Sequence, residues 1–231
     1  MKNPEEFVNF YKEHSLGFDL KLVEQGFKTF KPYFNGTSCL ELGPATGYMT
    51  KFLINEFQSL TVVEGAKSLL DKIPNYPNLT KINCLFEEYN PNVKYETIIM
   101  NHVLEHIEKP IELLKKINNW LTNDGVLIIG VPNAKSFHRL AAVQMGLLIS
   151  EYQLNQRDID LGHYRVYDMD LLKIHVMAAN YSIIKEGGIF LKFLSNKQIE
   201  NYFDDEIINA YFKLADNFYY NSAEIYLVLI K

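Results

Sequence analysis

Glu41, Gly43, Ala45, Gly47 and Glu64 are the residues whose kinds and spacing most resemble a ligand cradle. The apolar run Cys39-Leu40-Glu41-Leu42 breaks at Gly43 into Gly43-Pro44-Ala45-Thr46-Gly47-Tyr48. That order reads as a strand, a tight turn whose small residues let a ligand approach the backbone, and a helix entered near Thr46. Twenty-one residues past Gly43, the strand-like Leu60-Thr61-Val62-Val63 ends in Glu64, with Gly65 behind it. In an α/β fold a carboxylate so placed lies beside the first turn and can accept both hydroxyls of a ribose. Together the two segments describe an adenosine site; the alternative is a loop that merely needs glycine dihedrals.

Spacing also says which adenosine compound. A dinucleotide turn wants small residues at its first, third and sixth positions, and the sixth here is Tyr48. Glu41, two residues before the first glycine, would repel a pyrophosphate, so a cation is wanted. On these residues the chain resembles the class I S-adenosylmethionine-dependent methyltransferases, whose first motif is acidic-x-Gly-x-Gly-x-Gly, with Ala45 in place of the middle glycine. The resemblance implies that Glu41 faces the amino-acid end of the cofactor and that Gly43 to Gly47, with Thr46 and Tyr48, lie along it. It implies a Rossmann-like α/β fold: a mostly parallel seven-stranded sheet, an antiparallel edge hairpin, and a helical lid from two insertions. S-adenosylhomocysteine would be the product.

Two further strand ends carry polar text. Leu85-Phe86-Glu87-Glu88 follows the third strand, where the family wraps the adenine; Phe86 and Glu87 are chosen, with Glu88 a rival. Asn101-His102-Val103-Leu104-Glu105-His106 follows the fourth, and the resemblance places Asn101 and His102 by the cofactor, near the transferred methyl. The string also matches the His-x-x-Glu-His of a zinc peptidase class, which requires both histidines one turn apart on an established helix. Related quinone O-methyltransferases bind a divalent ion through Glu-x-x-Glu-His, but His102 stands at the first position here, and no metal is expected on His102, Glu105 and His106. The structural alternative has Glu105 pairing locally and His106 packing at a helix start.

Of 23 basic residues only Arg139, Arg157 and Arg165 are arginines, all within the long connection after Val131-Pro132-Asn133. The planar fork of arginine suits two-point capture of a carboxylate or phosphoryl group, so an anionic acceptor is expected on His138, Arg139 and Arg165. Surface pairing of Arg157 with Asp158 or Asp160, and of Arg165 with Asp168, is the alternative. The stretch from Val131 to Asp168 resembles a bacterial methyltransferase subgroup associated with surface-polysaccharide genes. For a hydroxyl acceptor a base must remove the proton; histidine titrates in the right range, which makes His106 or His163 the candidate, with Tyr167 and His138 as positioning groups.

The elements that must position these groups alternate. Strands are expected at about 38–43, 59–64, 80–85, 96–100 and 125–131, and helices at about 46–56, 66–73 and 109–122, a parallel sheet with crossovers. Apolar spacing makes Phe7 to Phe34 helical, and the helix from Phe137 to Ile149 is expected to pack on the core as a lid, the alternative being a dimer contact or a touch on a membrane surface. The tail adds a helix Met169 to Ala179, a strand Tyr181 to Ile184, helices near Asn196 to Phe203 and Glu206 to Tyr219, and a strand Glu224 to Ile230. One domain covers 1–231: a helical start (1–35), a cofactor core (36–133), a lid (134–168) and a sheet-completing part (169–231) with a second insertion near 187–220.

Net charge is −5 with a pI near 5.7, which argues against bulk nucleic acid. No apolar run reaches the roughly 18 residues of a membrane span, and no leader is recognisable, so a cytoplasmic monomer or homodimer is expected. Cys39 and Cys84 fall in expected strands as free thiols. The resulting expectation is S-adenosylmethionine-dependent O-methylation of a small anionic or nucleotide-linked sugar or phosphoryl acceptor, a phosphoramidate included, in capsular or surface-polysaccharide assembly. The competing readings are a quinone-type or other small-molecule methyltransferase, and a non-catalytic cofactor-binding module.

Overall fold

The computed structural model describes residues 3–8 and 17–231. Residues 9–16 of the expected N-terminal helical stretch lie outside the described residues. Helix α1 (Phe18–Phe30) comes next along the chain and buries Phe18, Leu22, Phe27 and Phe30 on one stripe.

Strands β1 (Ser38–Leu42), β2 (Ser59–Glu64), β3 (Leu79–Asn83), β4 (Tyr95–Asn101), β5 (Leu121–Pro132), β6 (Ser182–Ile189) and β7 (Glu224–Ile230) form one sheet in the order β3-β2-β1-β4-β5-β7-β6. The first five are parallel, and β7 runs antiparallel to both β5 and β6. The strand order reverses beside β1 and β4, so the carboxyl ends of these two strands open a crevice. This is the Rossmann-like mixed sheet that the family resemblance implied, and its five parallel strands are those that the alternation implied.

Period-two alternation feeds two cores. Leu40, Leu42, Met100, Leu127 and Leu227 face one layer, which includes α4 (Pro110–Trp120) and α7 (Met169–Ala178). Cys39, Leu60, Val62, Ile128 and Val228 face the other, covered by α1 and by α8 (Asn196–Tyr202) and α9 (Asp205–Leu214). Burial on both faces explains why the central strands read as continuous apolar runs.

Boundaries differ from expectation where backbone conformation decides. The helix after β1, α2, spans only Thr50–Leu53, because Ala45 (φ 48°) and Gly47 (φ 81°) hold the chain in the left-handed region until the turn is complete. The next helix, α3, is the short Lys67–Leu70. The helix expected over 109–122 ends earlier and the fifth strand starts earlier: α4 ends at Trp120, Leu121 pairs at once with Tyr95, and the register then jumps to Thr97–Val126, leaving the intervening residues as a bulge. Cys84 lies just past β3 and is half-buried, whereas Cys39 is buried; both thiols are free. The lid holds α5 (Phe137–Gln144) and α6 (Gln156–Asp160). The apolar residues after α5 do not pack on the core: Met145, Leu147 and Ile149 are 71%, 68% and 91% exposed, since the left-handed Gly146 ends the helix before they can turn inward. No helix among the described residues is long and apolar enough to cross a membrane.

Candidate active site

Two adjoining cavities open at the crevice, of about 840 and 1580 Å³, and both are lined by Gly43, Ala45, His102 and His106. The first adds Glu64, Gly65, Phe86 and Glu87 from the ends of β2 and β3, and is roofed by Pro4 and Phe7. The second adds Glu41, Thr46, Tyr48 and Asn101, with His138, Arg139, His163, Lys192 and Glu224 from the lid and β7.

The bend at Gly43 is built for close approach. Gly43 has φ 69°, and an added Cβ would lie 2.6 Å from Val103 Cγ2. Glu64 braces the same bend, accepting from Ala45 N at 3.1 Å and from Ala66 N at 2.9 Å. Those bonds hold Ala45 in a left-handed conformation that costs an L-residue roughly 1–2 kcal/mol. Burial still raises the Glu64 pKa against the backbone donors. Glu41 accepts from Thr50 Oγ1 at 2.6 Å, yet burial and then Glu64 push it up to about 7. A carboxylate so poised ionises fully when a cation arrives. Asn101 Oδ1 is buried with no hydrogen-bond partner among the described residues, and it too lines the second cavity. A glycine cradle, two buried acids and an orphaned acceptor fit an adenosine-bearing cation.

Gly47 lines neither cavity. Its missing side chain makes room for Ile73 Cγ1, 3.0 Å from where a Cβ would be, so the glycine is required by packing within the chain.

Behind the bend, His102 follows the last residue of β4, and its φ of 56° turns the chain sharply. His102 Nε2 lies 3.0 Å from Glu224 Oε1, and Nδ1 lies 3.5 Å from Glu105 Oε1. Although burial works the other way, these carboxylates hold the His102 pKa well above the ordinary imidazole value. The cluster of two carboxylates and one imidazolium carries a net negative charge at the cavity wall, suited to a cation. Leu104–His106 form a 3-10 turn, so His102 and His106 do not share a helix face and the peptidase geometry is not built. Glu105, His106 and His163 do converge, with ligand-capable atoms within 4.8 Å of one another, so the metal-capable cluster replaces His102 with His163.

Three lid residues expected at the acceptor have structural duties. Arg139 is buried; it donates to Glu151 O at 2.5 Å, to Gln153 O, and to Asp158 Oδ2 at 3.1 Å, so its fork is engaged within the chain although it lines the cavity. Arg165 lines neither cavity and staples the lid to Ile107 O and Glu108 O. Tyr167 is fully buried away from both cavities; its hydroxyl lies 3.0 Å from His175 Nδ1, and its carbonyl accepts from Ala134 N at 2.6 Å. Arg157 pairs with Asp19 at 2.7 Å, across the cleft on α1, and not with its sequence neighbours. Arg165→Met is therefore expected to lower unfolding free energy by about 1–2 kcal/mol in urea titration, with no change in acceptor selectivity. An altered selectivity at unchanged stability would restore Arg165 to the site.

Sequence reasoning missed Asp158, Glu224 and Lys192. Asp158 Oδ1 lies 3.2 Å from His163 Nδ1, and the buried His163 ring meets His106 edge-on at 4.6 Å between centroids. Burial lowers the His106 pKa to about 4 and that of His138 to about 3, so both are neutral near pH 7.

A family model described as "Methyltransferase domain" matches residues 3–186. The chain belongs to the methyltransferase-domain family. This methyltransferase is 26% identical over 125 residues to malonyl-[acyl-carrier protein] O-methyltransferase of Halalkalibacterium halodurans, covering 47% of this chain and 46% of the relative. It thus spans about half the length of that curated relative. Among solved structures it superposes on an S-adenosylmethionine-dependent methyltransferase, a possible histamine N-methyltransferase, of Thermotoga maritima with a TM-score of 0.71, 15% identity and 100% coverage of both chains. It also matches the plantazolicin methyltransferase BpumL in complex with a pentazolic desmethylPZN analog and SAH, with a TM-score of 0.61, 15% identity, and coverage of 96% of this chain and 88% of that one. The fold of the methyltransferase is therefore that of enzymes using S-adenosylmethionine.

Proposed function

We propose that this chain transfers the methyl group of S-adenosylmethionine to an oxygen of a small anionic acceptor. The observation that carries the reading is the wall the two cavities share: Gly43, Ala45, His102 and His106 line both, with Glu64 on one side and Glu41, Asp158, His163 and Glu224 on the other. In this reading Glu64 takes the ribose diol, Phe86 and Glu87 border the adenine, and Glu41 with Asn101 meets the amino-acid end. The cofactor supplies an electrophilic methyl on a sulfonium. The remaining chemistry belongs to the chain. The lid excludes water and holds the acceptor in line, which contributes roughly 7–11 kcal/mol of barrier lowering. His163, oriented through Nδ1 by Asp158, takes the proton of a hydroxyl acceptor. Asp158 stays ionised despite burial, because His163, Asn155 N and Arg139 hold its pKa below the ordinary carboxylate value.

Oxygen as the methylated atom is supported by the malonyl-[acyl-carrier protein] relative, an O-methyltransferase. A nucleotide-linked sugar or a phosphoryl group in surface-polysaccharide assembly is the acceptor we favour, on the lid text alone. The test is calorimetry with S-adenosylmethionine and S-adenosylhomocysteine, followed by mass spectrometry of a metabolite extract incubated with isotopically labelled cofactor. Micromolar cofactor binding and one labelled methyl on a small molecule are expected. Binding without transfer would make the chain a non-catalytic module, and absence of binding would end the reading.

A further inference from the structure

No sequence motif marks Lys192. It lies just past β6 on a segment fixed by three backbone hydrogen bonds: Ala223 N to Phe190 O at 2.7 Å, Leu191 N to Tyr211 O at 3.2 Å, and His138 N to Lys192 O at 2.9 Å. Phe137 stacks on Phe193 with centroids 4.8 Å apart, clamping the lid helix onto the same segment. The lysine side chain lines the second cavity.

Acids that could neutralise it are already engaged. Asp19 accepts from Arg157 at 2.7 Å and from Asn196 at 2.6 Å, and Glu224 pairs with His102 at 3.0 Å. No hydrogen bond or ion pair holds the Lys192 ammonium among the described residues. Burial accordingly lowers its pKa to about 8, against the pull of Asp19. Lys192 is only half-buried, so its ammonium stands at the cavity wall without an internal partner and can meet a bound anion there. The other basic side chains of the cavity are engaged or uncharged: Arg139 is committed to Asp158 and two carbonyls, Arg157 pairs with Asp19, His102 lies between Glu224 and Glu105, and His138 is neutral.

We infer that Lys192 holds the anionic group of the methyl acceptor, a carboxylate or a phosphoryl oxygen, so that charge recognition lies with this lysine and not with the arginines. The inference rests on the methyl-transfer reading, since that reading makes the second cavity the acceptor site. An ammonium is a point charge with three freely rotating donors, so it accepts either anion without the planar match that a guanidinium imposes.

Sodium phosphate and sodium acetate, titrated calorimetrically into the full chain saturated with S-adenosylhomocysteine, provide the test. Wild type is expected to bind at least one of them. Lys192→Met and Lys192→Gln are expected to weaken that binding about tenfold or more, and Lys192→Arg to keep most of it. A preference for phosphate assigns a phosphoryl acceptor, and one for acetate assigns a carboxyl acceptor. S-adenosylhomocysteine affinity should be the same in all four proteins, which certifies their folding. Equal anion binding by wild type and both neutral variants, or no anion binding by a wild type that holds S-adenosylhomocysteine, overturns the role of Lys192. A wild type that fails to hold S-adenosylhomocysteine overturns the methyl-transfer reading and this inference with it.

Discussion

Glu41→Gln is expected to stabilise the ligand-free protein at pH 8 while weakening S-adenosylmethionine binding by about tenfold to a hundredfold. The two effects have one cause. Burial, with Glu64 adding and Thr50 opposing, raises the Glu41 pKa from 4.5 to about 7. Below pH 4.5 the carboxyl is protonated in both the folded and the unfolded chain, and folding suffers no ionisation cost. Between pH 4.5 and 7 the unfolded chain releases a proton that the folded chain retains, so stability falls as pH rises; the total is on the order of 3 kcal/mol, complete above about pH 7. Glutamine keeps the length of the side chain and an acceptor for Thr50 Oγ1, but has no charge to desolvate, so its melting temperature should lose this slope between pH 5 and 8. The same carboxylate is the anchor for a cation. Wild-type affinity for S-adenosylmethionine should therefore decline as pH falls through about 7, by up to tenfold per pH unit, and the variant should show no such decline. Thermal melts and calorimetry at pH 5.5, 7 and 8 check both halves. Unaltered cofactor affinity in Glu41→Gln would remove this carboxylate from the site.

Local grammar made the cofactor half of the crevice legible. Glu41 and Glu64 are set by strand endings, and a strand that ends in a glycine turn puts its last acid beside the crevice whatever the rest of the chain does. The seven strands were legible as apolar runs bounded by turns, and only their edges moved. Glycine role was less legible: the spacing of Gly43 and Gly47 is the same whether a ligand or Ile73 occupies the vacated space. Ala45 shows the limit from the other side, since its left-handed backbone depends on the distant Glu64 carboxylate.

The acceptor half depends on which lid groups meet, and spacing does not encode that. Arginine rarity singled out Arg139, but a guanidinium grips internal carbonyls with the same fork it would offer a ligand. Burial decides between the two, and burial is a tertiary property. Asp158 lies within the lid and looks like a surface acid of a short helix; its meaning comes from turning back on His163 and Arg139. Glu224 opens a strand at the far end of the chain, and only the antiparallel return of β7 beside β5 brings it to His102. Lys192 is one of many lysines by composition, and is distinguished by what its neighbours are already bound to.

His163→Gln is expected to lower kcat by about 10²–10⁴ and to leave S-adenosylhomocysteine affinity unchanged. Asp158 Oδ1 lies 3.2 Å from His163 Nδ1, and the Asp158 carbonyl accepts from His163 N at 2.9 Å, so Asp158 meets both the ring and the backbone of His163. With Asp158 ionised, the proton of the imidazole stays on Nδ1, which leaves Nε2 as the basic nitrogen. Arg139 acts through Asp158 as a positioning residue: Asp158→Asn, which reverses the demand on Nδ1, should lower kcat with little change in acceptor KM. Glutamine at 163 can hydrogen-bond an acceptor hydroxyl but cannot take its proton, and the residual rate reports alignment alone. His106 is the rival, and the pH profile tests it. Burial makes its pKa about 4, so a base role for His106 would give a kcat/KM limb with a midpoint near 4 that disappears in His106→Gln. An unchanged kcat in both His163→Gln and His106→Gln would show that the acceptor oxygen is already anionic and needs no base, and the lid histidine would then serve only to shape the cavity.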